Sequence, residues 1–596
     1  MVKKIIIIKK NEENSKKNDI NHNQSSLNKD RLTDKYIDFI GDLNSKLHSF
    51  YWWTSSIGSK NQYVTNIYKN IFLYIDLINR IENSQQNVLK INVSENGVIN
   101  QLIEYCKKKD INCVIKGKHI KRSFKNIVKP IYLSISPNIK PFYGIKQKLI
   151  FEIILGNQIR KKLSKSKEYY VIRSWIDNRS FDKKNNYRDI YFVRFIDYIK
   201  NKKDVIILGA ILKSFKKQLK KIKKCNSKKD FVIPINFFIK NIDLIKVFFL
   251  QFKVFLKIKR EIDKLGEIKF EKYNVKEILK DELKQNLIHG EYRKNLISFY
   301  IIKNMSKKIN CKYFLYTFEN HSWEKLAISA FNRYSKKTYK VGYQHSSISK
   351  FLLAYFLSKN EKKFIPFPEK IKTVGAETKK IMQKYCNFPE DIVSKGCAFR
   401  YEYLSDIKKR PGKIDKNILI ACPCDPIDSS KLIKFVSNTF GEKTNYSIKI
   451  KCHPATPIDK IIKKGKLKLP KSYKVIKGKG LKDVLGETDI LLYNETTVCM
   501  EALMLGIPAI LIDTDRFYNT NRFFEFNHMN YVVKTTSELK KVFEKIYSMN
   551  NSEFREEQKK GKEYINKYFL KVTEERMEDF LKIDKKKEVK KQDERG

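Results

Sequence analysis

Short apolar runs alternate with amphipathic stretches along most of this chain, the pattern of strands buried on both faces and each followed by a helix. "YYVIRSW" (169–175), "DVIILGAIL" (204–212), "FVIPINFFI" (231–239), "KYFLYTF" (312–318), "YKVGYQH" (339–345) and "KIKTVG" (370–375) read as strands of one unit, with a helix around Trp323–Phe331. After the charged stretch "IKKRPGKIDK" the alternation restarts. "NILIACP" (417–423), "YSIKIKC" (446–452), "YKVI" (473–476), "DILLY" (489–493), "PAILID" (508–513) and "YVV" (531–533) are strands of a second unit. Its helices are expected at Ser429–Thr439, Val498–Leu505, Glu538–Met549 and Glu553–Tyr568. Strands alternating with helices imply parallel sheets covered on both faces, so the expected fold class is α/β. Two such units would hold a ligand in the cleft between them, at the carboxyl ends of their strands.

Residues 1–33 are polar and rich in Asn and Lys after four isoleucines, and are expected to be disordered. Residues 34–166 form an N-terminal α/β region. Its parts are a helix over Asp34–His48, the aromatic Tyr51-Trp52-Trp53, and a β-α-β pattern from Val88–Val93 through Ile99–Lys108 to Cys113–Ile115. Within it, residues 118–166 are strongly basic with interleaved apolar positions. They read either as an interfacial segment on anionic lipid or as a basic connector with one core-packing helix, Leu149–Ile159. One Rossmann-like domain follows over 167–406, then a linker at 407–416 carrying Pro411-Gly412, a second Rossmann-like domain over 417–583, and a charged tail, 584–596.

Charge narrows the partners. The 596 residues contain 123 Lys+Arg against 65 Asp+Glu, a net +58, which favours anionic partners. Basic residues are spread along the chain, with no helix-turn-helix, zinc-finger or RNP signature, so nucleic acid is not the expected partner. The ten cysteines are scattered without paired ligand sets, so neither a metal site nor a disulfide framework is expected, and a cytoplasmic setting fits. No run reaches the length of a membrane span.

Three loops of the second unit follow strands and share one rim. They are Cys424–Ser430, His453-Pro454-Ala455-Thr456 and Asn494-Glu495-Thr496-Thr497. The last opens a helix that stops at Gly506-Ile507-Pro508. Thr496 and Thr497 are placed to cap that helix, whose free N–H groups make an anion site. A histidine one loop away can donate to the same phosphate. In the first unit, Glu319 and His321 follow the strand 312–318, Asp177 follows the strand 169–175, and Gln344-His345 follow 339–343. Glu319 could instead cap the helix beginning near Ser322.

The second unit resembles the nucleotide-sugar half of a GT-B glycosyltransferase, especially bacterial sialyltransferases and capsule Kdo-transferases. In those enzymes an HP motif and a later Ser/Thr motif hold the nucleotide phosphate. His453-Pro454 and Thr496-Thr497 match these in order, and "TDILLYNETTVCMEALMLGIPAILID" (488–513) is similar to the strand, loop, helix and G-x-P turn of many GT-B enzymes. The resemblance implies that Asn494 belongs to the donor loop, that Glu501 faces the ribose, and that a CMP-linked sugar is the donor. The chain as a whole is similar to bacterial surface carbohydrate (O-antigen or capsule) biosynthesis proteins, through "YWWTSSIGSKN" (51–61), "YVIRSWIDNRSF" (170–181), "YTFENHSWEKLAI" (316–328) and "VGYQHSSIS" (341–349). The acidic Asp/Glu-Asp/Glu-Gly motif that supplies the sialyltransferase base is absent as a contiguous element.

The expected activity is therefore transfer of a sugar from a nucleotide-sugar to a surface polysaccharide or lipid-linked acceptor, inverting, with no metal and no further cofactor. Glu319, His321 or Asp177 would take the acceptor proton. His453, Pro454, Asn494, Thr496, Thr497 and Glu501 would bind the donor, and Gln344 and His345 would line the cleft. An anionic inner-membrane surface would bring enzyme and acceptor together. The competing readings are a CDP-polyol phosphotransferase of the same fold, a non-catalytic polysaccharide-assembly protein and a nucleic-acid-binding protein.

Overall fold

Isoleucines 5 and 7, at the very start of the chain, are fully buried, because Lys4–Lys9 (β1) is the central strand of a three-stranded sheet. Val88–Val93 (β2) and Asn112–Lys116 (β3) pair with it in parallel on either side. The expectation of disorder over 1–33 is thus corrected for this strand. Four consecutive β-branched residues have high strand propensity, and the partners that complete the sheet lie far along the chain. The first helix, Lys29–Leu47 (α1), also begins earlier than expected, since Asn28 caps it by accepting from the N–H groups of Asp30 and Arg31 at 3.1 Å. Ile67–Glu82 (α2) and Asn96–Lys108 (α3) follow. The structure is a computed structural model that describes residues 4–9, 28–116, 141–228, 230–406, 415–514 and 517–583. The linker at 407–414, the tail at 584–596 and residues 118–140 of the basic segment lie outside the described residues.

Two compact units result. One comprises Met1–Gln344, Leu352–Ile371 and Met382–Ser394, and the other His345–Phe351, Lys372–Ile381 and Lys395–Gly596. In the first, seven strands form a sheet in the order β12-β11-β10-β9-β4-β5-β6. These are Glu168–Ile176 (β4), Val205–Ile211 (β5), Val232–Pro234 (β6), Asn310–Thr317 (β9), Tyr339–Tyr343 (β10), Lys370–Thr373 (β11) and Val393–Lys395 (β12), while Lys269–Phe270 (β7) and Tyr273–Asn274 (β8) make a separate hairpin. The strand expected over 231–239 is only three residues long, because Pro234 has no N–H to continue the ladder and a 3₁₀ turn takes over at Ile235–Phe237. The single helix expected at 149–159 is an α-helix, Pro141–Phe151 (α4), continued by a π turn, Glu152–Gly156, and a short helix, Asn157–Lys162. Phe215–Asn226 (α5), Asn241–Lys264 (α6) and Ser322–Tyr334 (α7) complete the elements needed below.

The second unit holds six parallel strands in the order β15-β14-β13-β16-β17-β18. They are Asn417–Ala421 (β13), Ser447–Lys451 (β14), Lys474–Val475 (β15), Ile490–Tyr493 (β16), Ala509–Ile512 (β17) and Asn530–Val533 (β18). Counted from β13, this is the strand order 3-2-1-4-5-6 of a doubly wound sheet, as the α/β reading requires. Pro426–Phe440 (α8) starts where Asp425 accepts from Ile427 N–H at 2.7 Å and Asp428 N–H at 3.1 Å, with Pro426 at the first helical position. Val498–Leu505 (α9) stops at Gly506, whose φ of +76° is left-handed and whose missing Cβ leaves room for Gln558 of Asn551–Tyr568 (α10).

Candidate functional site

In a doubly wound sheet, chains leaving adjacent strands diverge where the strand order reverses, and a crevice opens at their carboxyl ends. In the second unit that point lies between β13 and β16. The loop after β13 runs through Cys424 and Asp425, the loop after β16 is Asn494–Thr497, and the loop after β14, one strand over, carries His453. Parallel neighbours are spaced by roughly 5 Å, so the loops after β14 and β16 start about 10 Å apart. The three loops expected to converge therefore share one edge.

His453 is exposed, and its Nδ1 accepts the Ala455 N–H at 3.2 Å. An accepting Nδ1 leaves the proton on Nε2, which becomes a donor. Desolvation by the surrounding loop holds the imidazole below its ordinary pKa, which favours the neutral ring. Pro454 is exposed beside it, and Thr456 Oγ1 anchors the turn by donating to the Cys424 carbonyl at 2.6 Å. The histidine loop is thus tied to the loop after β13.

Asn494 is buried, and its Nδ2 donates to Thr514 Oγ1 at 2.6 Å, which ties the β16 loop to the chain leaving β17. Thr497 stands at the N-cap of α9, but its side chain makes no capping bond, and Thr496 Oγ1 accepts from Val498 N–H only at 3.4 Å. The expected threonine cap is corrected: Thr497 has helical φ and ψ (−81°, −7°), and that geometry does not turn its hydroxyl onto the first turn. Glu501, one turn into α9, is buried against Tyr403 and Arg400. Burial raises its carboxyl above the ordinary range, with the Tyr403 hydroxyl and Arg400 charge acting against that rise.

The first unit has the same construction. Counted from β4, its sheet also reverses between the first and fourth strands, β4 and β9. The residues after β4 include Asp177, and those after β9 include Glu319, Asn320 and His321. Asp177 receives the Arg179 guanidinium at 2.6 and 3.0 Å and the Arg179 N–H at 2.8 Å. Burial would raise this carboxyl, and the Arg179 contacts more than offset it, so Asp177 is held below its ordinary value. Such a carboxylate is a weak base.

Glu319 is half-exposed, with its Oε2 3.5 Å from His321 Nδ1. The reading of Glu319 as helix cap is corrected by its neighbour. The buried Glu324 carboxylate accepts the N–H groups of Glu319, Asn320 and His321 at 3.0–3.2 Å and so caps α7. Burial, then the Lys325 and Arg173 charges, push His321 down to about 3, which keeps the ring neutral. Gln344 and His345 are both buried directly after β10; Gln344 ends one unit and His345 begins a segment of the other.

No family model matches the chain, and no curated protein matches it. Among solved structures it is similar to a UDP-GlcNAc 2-epimerase from Neisseria meningitidis bound to UDP-GlcNAc, at 10% identity over 65% of this chain and 94% of that one, with a TM-score of 0.37. It is also similar to MurG of Acinetobacter baumannii, at 9% identity over 67% and 95%, and to a glycosyltransferase from Rickettsia africae, at 11% over 70% and 97%, both with a TM-score of 0.37. At these identities the chemistry is read from the chain's own residues.

Several residues at the two switch points escaped the sequence reading. Arg173, opposite Tyr316 in the β4–β9 register, is buried between two indoles, its guanidinium carbon 4.2 Å from the Trp175 ring centre and 3.6 Å from that of Trp323. Its Nη1 has no hydrogen-bond partner among the described residues, nor have Tyr316 Oη and Thr317 Oγ1 nearby on β9. Orphaned polar atoms at a strand end are uncommon and call for an explanation. An arginine within the otherwise apolar run "YYVIRSW" was the available signal. In the second unit Arg522 is buried, donating from Nε to the Thr496 carbonyl at 3.2 Å and from Nη1 to Ser347 Oγ at 2.8 Å. It sets a guanidinium against the threonine loop, and no local pattern around it distinguishes it in the sequence.

The motif "YWWTSSIGSKN" has a supporting place. Trp52, Trp53 and Lys60 are buried, Lys60 Nζ pairs with Glu361 at 2.5 Å, and the Ser55 carbonyl accepts from Ser322 Oγ at 2.7 Å. That last bond fixes the first residue of α7, directly behind His321.

Proposed function

We propose that the protein is a glycosyltransferase that uses a nucleotide-sugar donor. The observation that carries this reading is the placement of a neutral, Nε2-protonated His453 and the Thr496-Thr497 loop on the same carboxyl edge as the switch point of the six-stranded sheet. A diphosphate or phosphate leaving group on that edge would meet the His453 Nε2–H, the threonine hydroxyls and the first N–H groups of α9, with the Arg522 charge behind them. Glu501 would face the ribose.

Transfer then needs one proton removed from an acceptor hydroxyl while the acceptor oxygen attacks the anomeric carbon and the bond to phosphate breaks. Glu319 is our choice for that proton, because Glu324 takes the capping role and Arg179 holds Asp177. The neutral His321 beside it, expected from the sequence as a candidate base, is too weakly basic at about 3 to take the proton and would orient the carboxylate instead. Gln344 and His345 would contact acceptor or sugar. In this reading transfer inverts the anomeric centre without a metal. The donor is CMP-linked, and the acceptor is a surface polysaccharide of the O-antigen or capsule kind, or its lipid-linked precursor, at the inner face of the cytoplasmic membrane.

A thermal-shift panel of CMP, CDP, UDP, GDP and their sugar conjugates tests the donor site, since a ligand bound only by the native state raises its stability. Selective stabilisation by CMP or its sugar conjugate supports the reading, and selective stabilisation by another nucleotide keeps the nucleotide-sugar donor but replaces CMP. No shift with any of them overturns it.

A further inference from the structure

Half of the exposed large apolar side chains among the described residues of the first unit lie on α4, the π turn that continues it, and α6. The long helix α6 buries Leu244, Val247, Gln251, Val254, Ile258 and Ile262 on one face. Its opposite face should be polar if water were its only neighbour. Instead Ile242, Ile245, Phe249 and Leu256 stand there, 50, 44, 65 and 58% exposed. Their spacing of three, four and seven residues places them on one stripe. Beside the stripe run exposed Lys246, Lys253, Lys257 and Arg260; no carboxylate lies between Leu244 and Arg260 in sequence, and Lys257 has Glu261 at 3.8 Å.

Helix α4 packs against α6 through Leu244, which lies within 3.3 Å of where a Cβ on Gly144 would be. It adds Leu149, and the π turn that continues it adds Ile153, 60 and 75% exposed. At its other side a groove of about 320 Å³ is lined by Lys146, Lys216 and Lys217 with Gln147, Ser214 and Phe215, where α4 meets the start of α5.

We infer that this face of α4 and α6 is a docking surface for an anionic lipid bilayer. Apolar side chains at the outward pole would enter the boundary of headgroups and acyl chains, and the flanking lysines would meet lipid phosphates. Charge complementarity selects the occupant: a second copy of this chain would set one row of cations against another, whereas an anionic membrane neutralises both the row and the groove. No helix among the described residues is long and apolar enough to cross a membrane, so the contact would be peripheral. The inference deepens the membrane placement proposed above by naming the surface that makes it. Vesicle binding needs no nucleotide, so its failure would leave the donor-site test standing.

The experiment is co-sedimentation of the full chain with vesicles of phosphatidylcholine alone and of phosphatidylcholine with one third phosphatidylglycerol. The expected result is binding to the second kind only, weakened by salt. A Phe249→Ser/Leu256→Ser variant should lose about tenfold in vesicle affinity, and a Lys246→Gln/Lys253→Gln/Lys257→Gln variant about a hundredfold. All five positions are exposed, so both variants should keep the wild-type melting temperature. Equal binding to neutral vesicles, no binding to either, or unchanged affinity in both variants would overturn the inference. So would a dimer in sedimentation velocity that the serine variant dissolves, or equally tight binding to a duplex of arbitrary sequence at the same salt.

Discussion

The Ala455 N–H donates to His453 Nδ1 at 3.2 Å, and this one bond decides which ring nitrogen carries the proton. A histidine that closes a strand needs no particular tautomer. One that donates to a phosphate needs a proton on the nitrogen facing outward, which this bond enforces. His453→Ala should therefore lower turnover about a hundredfold, the usual cost of one lost donor to a developing anion. It should also shrink the nucleotide-induced thermal shift. The ligand-free melting temperature should stay within error, because the ring is exposed; a large drop there would assign His453 to stability instead.

Thr497→Ala separates two roles in the same way. Losing a true N-cap costs about 1 kcal/mol, and Thr497 makes no capping bond. Urea unfolding should therefore show a loss well under about 1 kcal/mol, while the nucleotide shift weakens clearly. A full capping loss with an unchanged nucleotide shift would remove Thr497 from the donor site.

Glu319 and Glu324 should part company on mutation. Glu319→Gln keeps the shape of a half-exposed side chain and should slow transfer by a factor between about a hundred and ten thousand, the range for a general base, with donor binding unchanged. Glu324→Ala strips the cap from α7 and leaves three N–H donors near the protein interior unsatisfied, so about 2 kcal/mol or more of stability should go with it. The check is single-turnover kinetics beside urea denaturation for each variant.

The first unit also has a pH signature. His321 is held down to about 3 in the folded chain, against an ordinary value of 6.5. Between those values the unfolded chain binds a proton that the folded one does not, so this group makes stability fall as pH drops through the window and rise as pH climbs out of it. His321→Gln removes the term. Its stability relative to wild type should improve steadily as pH is lowered from 6.5; a difference that stays constant with pH would show that the imidazole is not buried neutral.

Arg173 is a buried cation with no carboxylate bonded to it among the described residues, and burial lowers its pKa to about 10, leaving it charged at neutrality. Two indole faces offset part of its desolvation, each worth about 2 kcal/mol in a dry setting. Arg173→Met keeps the volume and removes the charge. The expected outcome is an unchanged or higher melting temperature with slower transfer, the trade seen where a charge serves a site rather than the fold. A lower melting temperature with normal turnover per folded molecule would make Arg173 structural.

Hydrophobic patterning alone was enough to determine that the chain is α/β, where most strands run, and that His453, Asn494, Thr496 and Thr497 each stand in a loop directly after a strand of one unit. These are local properties: a parallel strand is an apolar run, and the residues after it stand at a sheet end. Tertiary structure decided the rest. The isoleucines of β1 look like the edge of a loose tail until β2 and β3, more than seventy residues away, close a sheet around them. Strand order, which puts the switch points between β13 and β16 and between β4 and β9, depends on pairings that no window of sequence contains. The same holds for Arg173 between its two indoles, Glu324 taking the cap from Glu319, and Arg522 behind the threonine loop. Each is a meeting of residues distant in sequence or a choice between adjacent carboxylates, and burial and hydrogen-bond geometry make that choice only once the chain has folded.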